Sequence, residues 1–404
     1  MLEIFRFFLY TLINLFVSFL NIFVWRTKKI WLFGAWMGNT FSDNSRFLFQ
    51  FVDANKKELN IKKVFWVTRN EDVFLEMKKM GYEVLMMHSL KSFYYHIRSG
   101  VHLICNNAYS AKYKHDIMTC LSIWATKIQL WHGVGIKACG RLTNKGKHTF
   151  KNWIFDNVLF PFFEPGVWGR AYMLVTSEEN KRVAIEDLRI RKNRIILGTY
   201  PRFLRPTLLT SSENIVISRI NFIKKKYNKK IILYLPTFRK NGSKYLEPSS
   251  IDGFTDFLRR NNILWIQKKH SADLIKSSEV IDDNVLTLEP NLDVNVVYDC
   301  IDLLITDYSS ATTDAIFRDK MTLEYCPDYN DYSSFDRGFV NDFEKYHIGN
   351  FVINPTELFD KIMLCINKNA KDIDKHIRTK QFLLGTDDWD YYKLFNAIKK
   401  ATNV

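Results

Sequence analysis

The sequence predicts an α/β protein with two Rossmann-like, doubly wound domains, preceded by a membrane-associating helix. Three observations lead there. Short apolar runs alternate with segments of helical periodicity along most of the chain, the signature of parallel strands joined by crossover helices. The runs are apolar on both faces, as strands covered by helices on each side must be. The alternation breaks near 203–213, where proline and serine interrupt it, and then begins again. At 404 residues the chain is too long for one ordinary core. The expected division is a helix at 1–28, an N-terminal domain at 29–205 and a C-terminal domain at 206–404, with the last helix free to pack back on the first domain.

Each element has a local reason. Residues 7–25 carry no charge and are mostly apolar, between Arg6 and the basic Arg26, Lys28 and Lys29. Thr11, Asn14, Ser18 and Asn21 recur every three or four residues, which is one face of a helix. A polar stripe on an apolar helix fits one lying in a membrane interface, with basic residues reaching lipid phosphates. The length just reaches a span, and packing on the protein's own body is the plain alternative. No small-residue cleavage site follows, which argues against a secretory signal.

Strands are expected at 30–33, 64–67, 84–87, 101–105, 128–131, 172–176 and 195–197. Helices are expected at 47–52, capped by Ser42, Asp43 and Asn44, then at 71–80, 92–97 and from 177. A helix carrying Lys224, Lys225, Lys226, Lys229 and Lys230 opens the second half. Strands then fall at 231–235, 263–267, 285–288, 301–305, 322–325 and 351–353. The intervening helices are 254–259, 294–300, one from Ser310, one from 355, and the terminal pair 371–384 and 389–401.

Ligands of doubly wound sheets sit beyond the carboxyl ends of the strands. His132 follows strand 128–131 in a loop kept free of bulk by Gly133, Gly135 and Gly140. A structural histidine is the alternative reading. Thr237 and Arg239 follow strand 231–235, and Lys269 and His270 follow 263–267. Thr306 and Asp307 end strand 301–305, Ser309 and Ser310 open a helix, and Asp314 lies one turn on. Free backbone N–H groups and two hydroxyls at such a turn suit a phosphate or pyrophosphate. An ordinary serine N-cap explains the same residues. Asp302 and Asp307 read as hydrogen-bonding residues, and without a DxD-type pair no metal or cofactor is expected.

Charge narrows the partners. The formal charge of +15 calls for an anionic one. From 117 to 155 there is no Asp or Glu, while Lys127, Lys137, Arg141, Lys145, Lys147 and Lys151 fall inside. That stretch suits the phosphates of a substrate or lipid, and a solvated basic face is the default alternative. No helix-turn-helix, zinc finger or RNA-binding aromatic motif occurs, so nucleic acid is not expected. Six scattered cysteines without CxxC or zinc spacing fit inert thiols in a reducing compartment, hence the cytoplasm.

Two parallel-sheet domains facing a cleft resemble the GT-B glycosyltransferase layout. That layout implies an acceptor on the N-terminal sheet and a nucleotide-activated donor on the C-terminal one. Four motifs then resemble the CDP-glycerol glycerophosphotransferases of teichoic-acid and capsule synthesis. They are Trp131-His132-Gly133 with Lys137 and Gly140; Leu235-Pro236-Thr237-Phe238-Arg239; Lys269-His270; and Ile305-Thr306-Asp307-Tyr308-Ser309-Ser310 with Asp314. Tyr332, Arg337 and Gly338 match a later segment of that pattern, and the match covers most of the chain after Lys29. The chain departs at Gly135 and Ser271, where the family pattern has proline.

The resemblance implies transfer of a polyol phosphate from CDP-glycerol or CDP-ribitol to a hydroxyl of a lipid-linked or polymeric saccharide, releasing CMP. The cysteine pattern together with the N-terminal helix and its basic flank puts the expected location at the cytoplasmic face of the cell membrane, on an anionic surface. For that transfer His132 is the general base, and His270 and Arg239 neutralise the diphosphate. Thr306, Ser309 and Ser310 bond its oxygens, Asp314 orients the polyol or simply the loop, and Lys137, Thr237, Asp307 and Arg337 complete the substrate contacts. The fold and the phosphate loop would serve a nucleotide-sugar glycosyltransferase equally. A non-enzymatic basic protein at a membrane would leave the histidine loop unexplained.

Overall fold

The computed structural model describes residues 2–106, 115–134, 137–139, 142, 171–188, 190–204, 208–237, 246–268, 282–329, 339–340, 350–367, 370–385 and 388–404. Contacts divide the chain into two compact units. The first is Met1–His132, Lys147–Thr210 and Asp387–Val404, and the second is Gly133–Gly146 and Ser211–Thr386. The division is therefore interleaved rather than linear. The segment after His132 belongs with the second unit, and the last 18 residues, 387–404, belong with the first.

The first unit is built on a parallel sheet in the order β3-β2-β1-β4-β5-β6-β7. The strands are β1 (Thr27–Phe33), β2 (Lys63–Thr68), β3 (Val84–Met86), β4 (Ser99–Ile104), β5 (Thr126–Gln129), β6 (Tyr172–Val175) and β7 (Ile195–Leu197). Ile30, Trp31, Leu32 and Phe33 are all buried, because helices cover both faces of the central strand. On one face Ile30, Leu32, Phe65, Val67 and Leu85 pack with Ile117, Met118 and Leu121. Helix α1 (Leu2–Phe23) adds Val17 to that cluster. Helix α2 (Asp43–Ala54) is almost wholly buried, including Arg46 and Gln50. Helices α3 (Glu71–Lys79), α4 (Leu90–Arg98) and α5 (Glu178–Glu186) complete the crossovers.

The second unit opens with α6 (Ser211–Tyr227) and holds a parallel sheet in the order β10-β9-β8-β11-β12-β13. Its strands are β8 (Lys230–Leu235), β9 (Ile263–Gln267), β10 (Val285–Thr287), β11 (Leu303–Thr306), β12 (Met321–Tyr325) and β13 (Asn350–Val352). Helices α7 (Phe254–Arg260), α8 (Ala311–Phe317), α9 (Leu358–Ile366) and α10 (Ala370–Leu384) flank it. The last helix, α11 (Tyr391–Thr402), lies on the first unit, where Phe395 stacks on Trp31 at 5.5 Å and Tyr391 on Phe51 at 4.8 Å.

The expected strands form within two residues of their places, except that β1 starts three residues early, at Thr27. Three expectations change. Residues 294–300 are two 3₁₀ turns, Val294–Val296 and Tyr298–Cys300, rather than one helix. Asp293 starts the first turn by accepting the Asn295 N–H at 3.0 Å, and the valines at 294, 296 and 297 disfavour a longer helix. Lys229 and Lys230 lie beyond α6, and Lys230 begins β8. Ser42 occupies the cap position of α2 without a side-chain cap bond, its hydroxyl lying 2.6 Å from that of Thr40.

Candidate active site

Both sheets reverse strand order at one point, between β1 and β4 in the first unit and between β8 and β11 in the second. A doubly wound sheet leaves a crevice for ligand there. Each candidate residue can be measured against its own sheet's reversal.

In the first unit, Gly34 leaves β1 against Asp116. A methyl at Gly34 would lie 2.3 Å from the Asp116 carbonyl oxygen, so only glycine permits the approach. The Asp116 carboxylate accepts the backbone N–H groups of Met37 (2.7 Å), Cys105 (3.0 Å) and Asn106 (2.8 Å). It thereby ties the loop after β1 to the end of β4. Burial pushes its carboxyl above the usual range, against the pull of those three donors. Beyond β5, the Leu130 N–H donates to the Ile104 carbonyl at 2.8 Å, which sets the next residues beside the end of β4.

His132 is the product of this arrangement. Its Nδ1 lies 3.0 Å from the Cys105 carbonyl oxygen. A carbonyl only accepts, so Nδ1 carries the proton and Nε2 carries the lone pair. Rings hold the imidazole in place, Trp131 at 4.5 Å and Trp36 at 5.6 Å. Trp36 is itself anchored, donating its indole N–H to Asp43 at 3.0 Å. Asp43 is paired with Arg202 at 2.7 Å, both side chains being buried. Asn44 donates to the carbonyls of Leu130 (3.2 Å) and Trp131 (2.9 Å) and accepts the Arg202 N–H at 3.2 Å.

Strain accompanies the scaffold. Trp36, Met37, Asp43 and Trp131 all have positive φ, at 42°, 60°, 63° and 57°. Non-glycine residues pay roughly 1–3 kcal/mol each for such conformations and persist only where the surroundings over-determine them. Four of them around one histidine mark a loop set shaped for something other than stability.

In the second unit, the β8–β11 reversal brings Thr237 and Asp307 together. The Asp307 carboxylate accepts the Thr237 N–H at 2.9 Å and also its hydroxyl. Thr306 is fully buried and donates its hydroxyl to the Leu235 carbonyl at 2.6 Å, so it joins β8 to β11. Ser309 accepts the Ala311 N–H at 3.2 Å, while Ser310, at the start of α8, makes no side-chain cap bond. Asp314 is buried on α8. Tyr308 is fully buried, donates to Asp328 at 3.1 Å and packs against Phe339 at 5.9 Å. Phe339 in turn pairs with Lys137 in an antiparallel bridge. Lys137 therefore belongs to the same neighbourhood as the Tyr308–Ser310 turn, though it is far away in sequence. Arg239, His270 and Arg337 lie outside the described residues.

Sequence reasoning missed Trp36, Asp43, Asn44, Asp116 and Arg202. Asp43 and Asn44 read as a helix cap, and the signal that separates them from one is positional. They follow the first strand's crevice loop, where a cap is not the only task.

The chain matches, over residues 16–389, the family model described as CDP-Glycerol:Poly(glycerophosphate) glycerophosphotransferase. The chain belongs to this family. Among curated relatives, a teichoic acid poly(glycerol phosphate) polymerase of Bacillus spizizenii is 24% identical over 345 residues, covering 79% of each chain. A teichoic acid glycerol-phosphate transferase of Staphylococcus aureus is 23% identical over 346 residues, covering 83% of each. Among solved structures, that of the wall teichoic acid polymerase TagF superposes with a TM-score of 0.70 at 16% identity, over 98% of this chain and 94% of that one. At that identity the likeness speaks for the fold: two parallel-sheet, Rossmann-like units. The family membership makes this chain an enzyme of the glycerophosphotransferase class.

Proposed function

We propose that this family member transfers glycerol phosphate from CDP-glycerol to a terminal hydroxyl of a teichoic-acid-type acceptor. The acceptor oxygen attacks the glycerol-side phosphorus, the bond to the bridging oxygen breaks, and CMP leaves. His132 Nε2 takes the proton from the acceptor hydroxyl. One observation carries the assignment: the Cys105 carbonyl holds the proton on Nδ1, so in the neutral ring Nε2 is the nitrogen that bears the lone pair. In the second unit, the turn from Thr237 and the Tyr308–Ser310 turn are proposed to hold the diphosphate, with Arg239 and His270 neutralising it and Lys137, Asp314 and Arg337 contacting the substrates. Thr306 and Asp307 serve this by fixing the turns, since their polar atoms are engaged with Leu235 and Thr237. Charge neutralisation by protein donors is proposed to suffice without a metal or other cofactor. Lipid-linked saccharide or growing polymer is the proposed acceptor, and the cytoplasmic face of the cell membrane the proposed location.

The test is a donor screen with purified protein, scoring CMP release and product mass for CDP-glycerol, CDP-ribitol and nucleotide sugars. CDP-glycerol is expected to turn over fastest, in the presence or absence of chelator. His132→Ala is expected to lower kcat by about 10²–10⁴ with little change in the KM for CDP-glycerol. Near-normal turnover by that variant removes the base assignment, and a nucleotide sugar as preferred donor removes the substrate.

A further inference from the structure

The peptide group between Cys105 and Asn106, just beyond β4, is engaged on both of its sides. Its carbonyl oxygen lies 3.0 Å from His132 Nδ1. Its N–H donates to the Asp116 carboxylate at 2.8 Å. A trans peptide is planar, with N–H and C=O pointing in opposite directions. One side of the group therefore faces a carboxylate and the other an imidazole. Along this chain the ring N–H donates to the carbonyl and the peptide N–H donates to the carboxylate, so both donors point the same way. Hydrogen bonds aligned in this manner polarise one another. Gln129 steadies the arrangement, donating to the Asn106 carbonyl at 2.8 Å and accepting the Trp131 N–H at 3.0 Å.

The surroundings of Asp116 suit a charged carboxylate. The side chain is buried, and the Met37, Cys105 and Asn106 N–H groups that it accepts are all donors. A proton on either oxygen would face one of them, so this geometry serves the ionised form. Burial works against that form, and the three donors work for it. Other ionisable groups lie close by. Arg69 follows β2, half-buried, and donates to the Met37 carbonyl at 2.7 Å and the His115 carbonyl at 3.3 Å. Asp43 is paired with Arg202. Burial lowers His115 to about 4, and it pushes the Cys105 thiol up, with Asp43 and Asp116 adding to the rise. Of these groups, Asp116 is the one joined to His132 through the Cys105–Asn106 peptide.

We propose that Asp116 is a positioning residue for the transfer, acting on His132 through the Cys105–Asn106 peptide group. The inference rests on the reading of His132 as the base. When Nε2 takes the proton of the acceptor hydroxyl, the ring becomes an imidazolium and its Nδ1–H bond to the Cys105 carbonyl strengthens. The negative charge at the far end of the chain favours that cation. In a hydrolase triad a directly bonded aspartate does this and also fixes the tautomer, and its loss costs about 10⁴ in rate. Here the carbonyl fixes the tautomer, so removing the charge leaves the proton on Nδ1. The expected loss in kcat/KM is accordingly smaller, about three- to tenfold.

The sequence offers a direct probe, because Cys105–Asn106 is its one Cys–Asn step. Labelling cysteine carbonyls with ¹³C and asparagine amides with ¹⁵N isolates this peptide group as a single NMR correlation in the full chain. In the wild type that correlation is expected to titrate between about pH 5 and 8, with the midpoint of the acid limb of kcat/KM. His132→Gln is expected to abolish the step. Asp116→Asn keeps the side-chain size and removes the charge, and both midpoints are expected to fall by about one pH unit. A wild-type correlation that ignores pH overturns the proposal without any Asp116 variant, as does a step that persists in His132→Gln. An Asp116→Asn chain that folds, judged by circular dichroism, and keeps both midpoints also overturns it. A correlation midpoint that falls while the kinetic limb stays in place supports the link from Asp116 to the ring, and overturns instead the reading of His132 as the base.

Discussion

Arg202 and Asp43 are both buried and lie 2.7 Å apart. Their value is indirect. Asp43 holds Trp36, Trp36 flanks His132, and Asn44 joins the Trp131 carbonyl to the backbone at Arg202. Removing one charge of such a pair leaves the other buried and unpaired, at a cost of about 3–5 kcal/mol. Asp43→Ala is therefore expected to lower the urea midpoint sharply, and Arg202→Met combined with Asp43→Ala to lower it less than the two single effects added. A fully additive double variant in equilibrium unfolding would show that the two are not coupled.

At the scale of elements, loops at strand ends depend on contacts that are short in space and long in sequence. Gly34 is an instance, since its missing side chain admits the Asp116 carbonyl. Gly34→Ala forces that backbone to shift, and a loss of about 1–3 kcal/mol is expected in thermal unfolding. Asp307 does comparable work in the second unit by seizing the turn at Thr237. Thr237→Val removes one of those donors while keeping side-chain volume. Steady-state kinetics are expected to show the KM for CDP-glycerol rising about tenfold with kcat less affected. An unchanged KM would separate this turn from donor binding.

The molecule as a whole carries an acid sensitivity from buried imidazoles in its first unit. Burial lowers His96 to about 4, and His115 likewise to about 4, from the ordinary 6.5. His96 Nδ1 donates to the Ser92 carbonyl at 2.7 Å, and its Nε2 accepts the Met118 N–H at 3.2 Å, so the fold uses the neutral ring. The unfolded chain binds protons between pH 6.5 and 4 that the folded chain does not. Stability is thus fully present above about 6.5 and is lost as pH falls toward 4. At pH 5 His96 alone accounts for about 2 kcal/mol. The thermal midpoint is expected to fall between pH 7 and 5, and His96→Gln to flatten that slope. A slope unaffected by His96→Gln would place the sensitivity elsewhere.

Strand positions, the doubly wound class and the residues at the strand ends were legible in the amino-acid order, because apolar runs and turn chemistry are local properties. His132, Thr237 and the Ser309–Ser310 turn could be placed for the same reason: each directly follows a run that has to be a buried strand. The tautomer of His132 could not, since the Cys105 carbonyl that decides it lies 27 positions away in the chain. The partnership of Asp43 with Arg202 spans 159 positions, and no pattern within either segment announces it. The direction in which α1 turns its two faces was undecidable for a related reason. Periodicity shows that a helix has two sides, and only the packing of Val17, Ser18 and Asn21 against the first unit shows which of them is left to the outside.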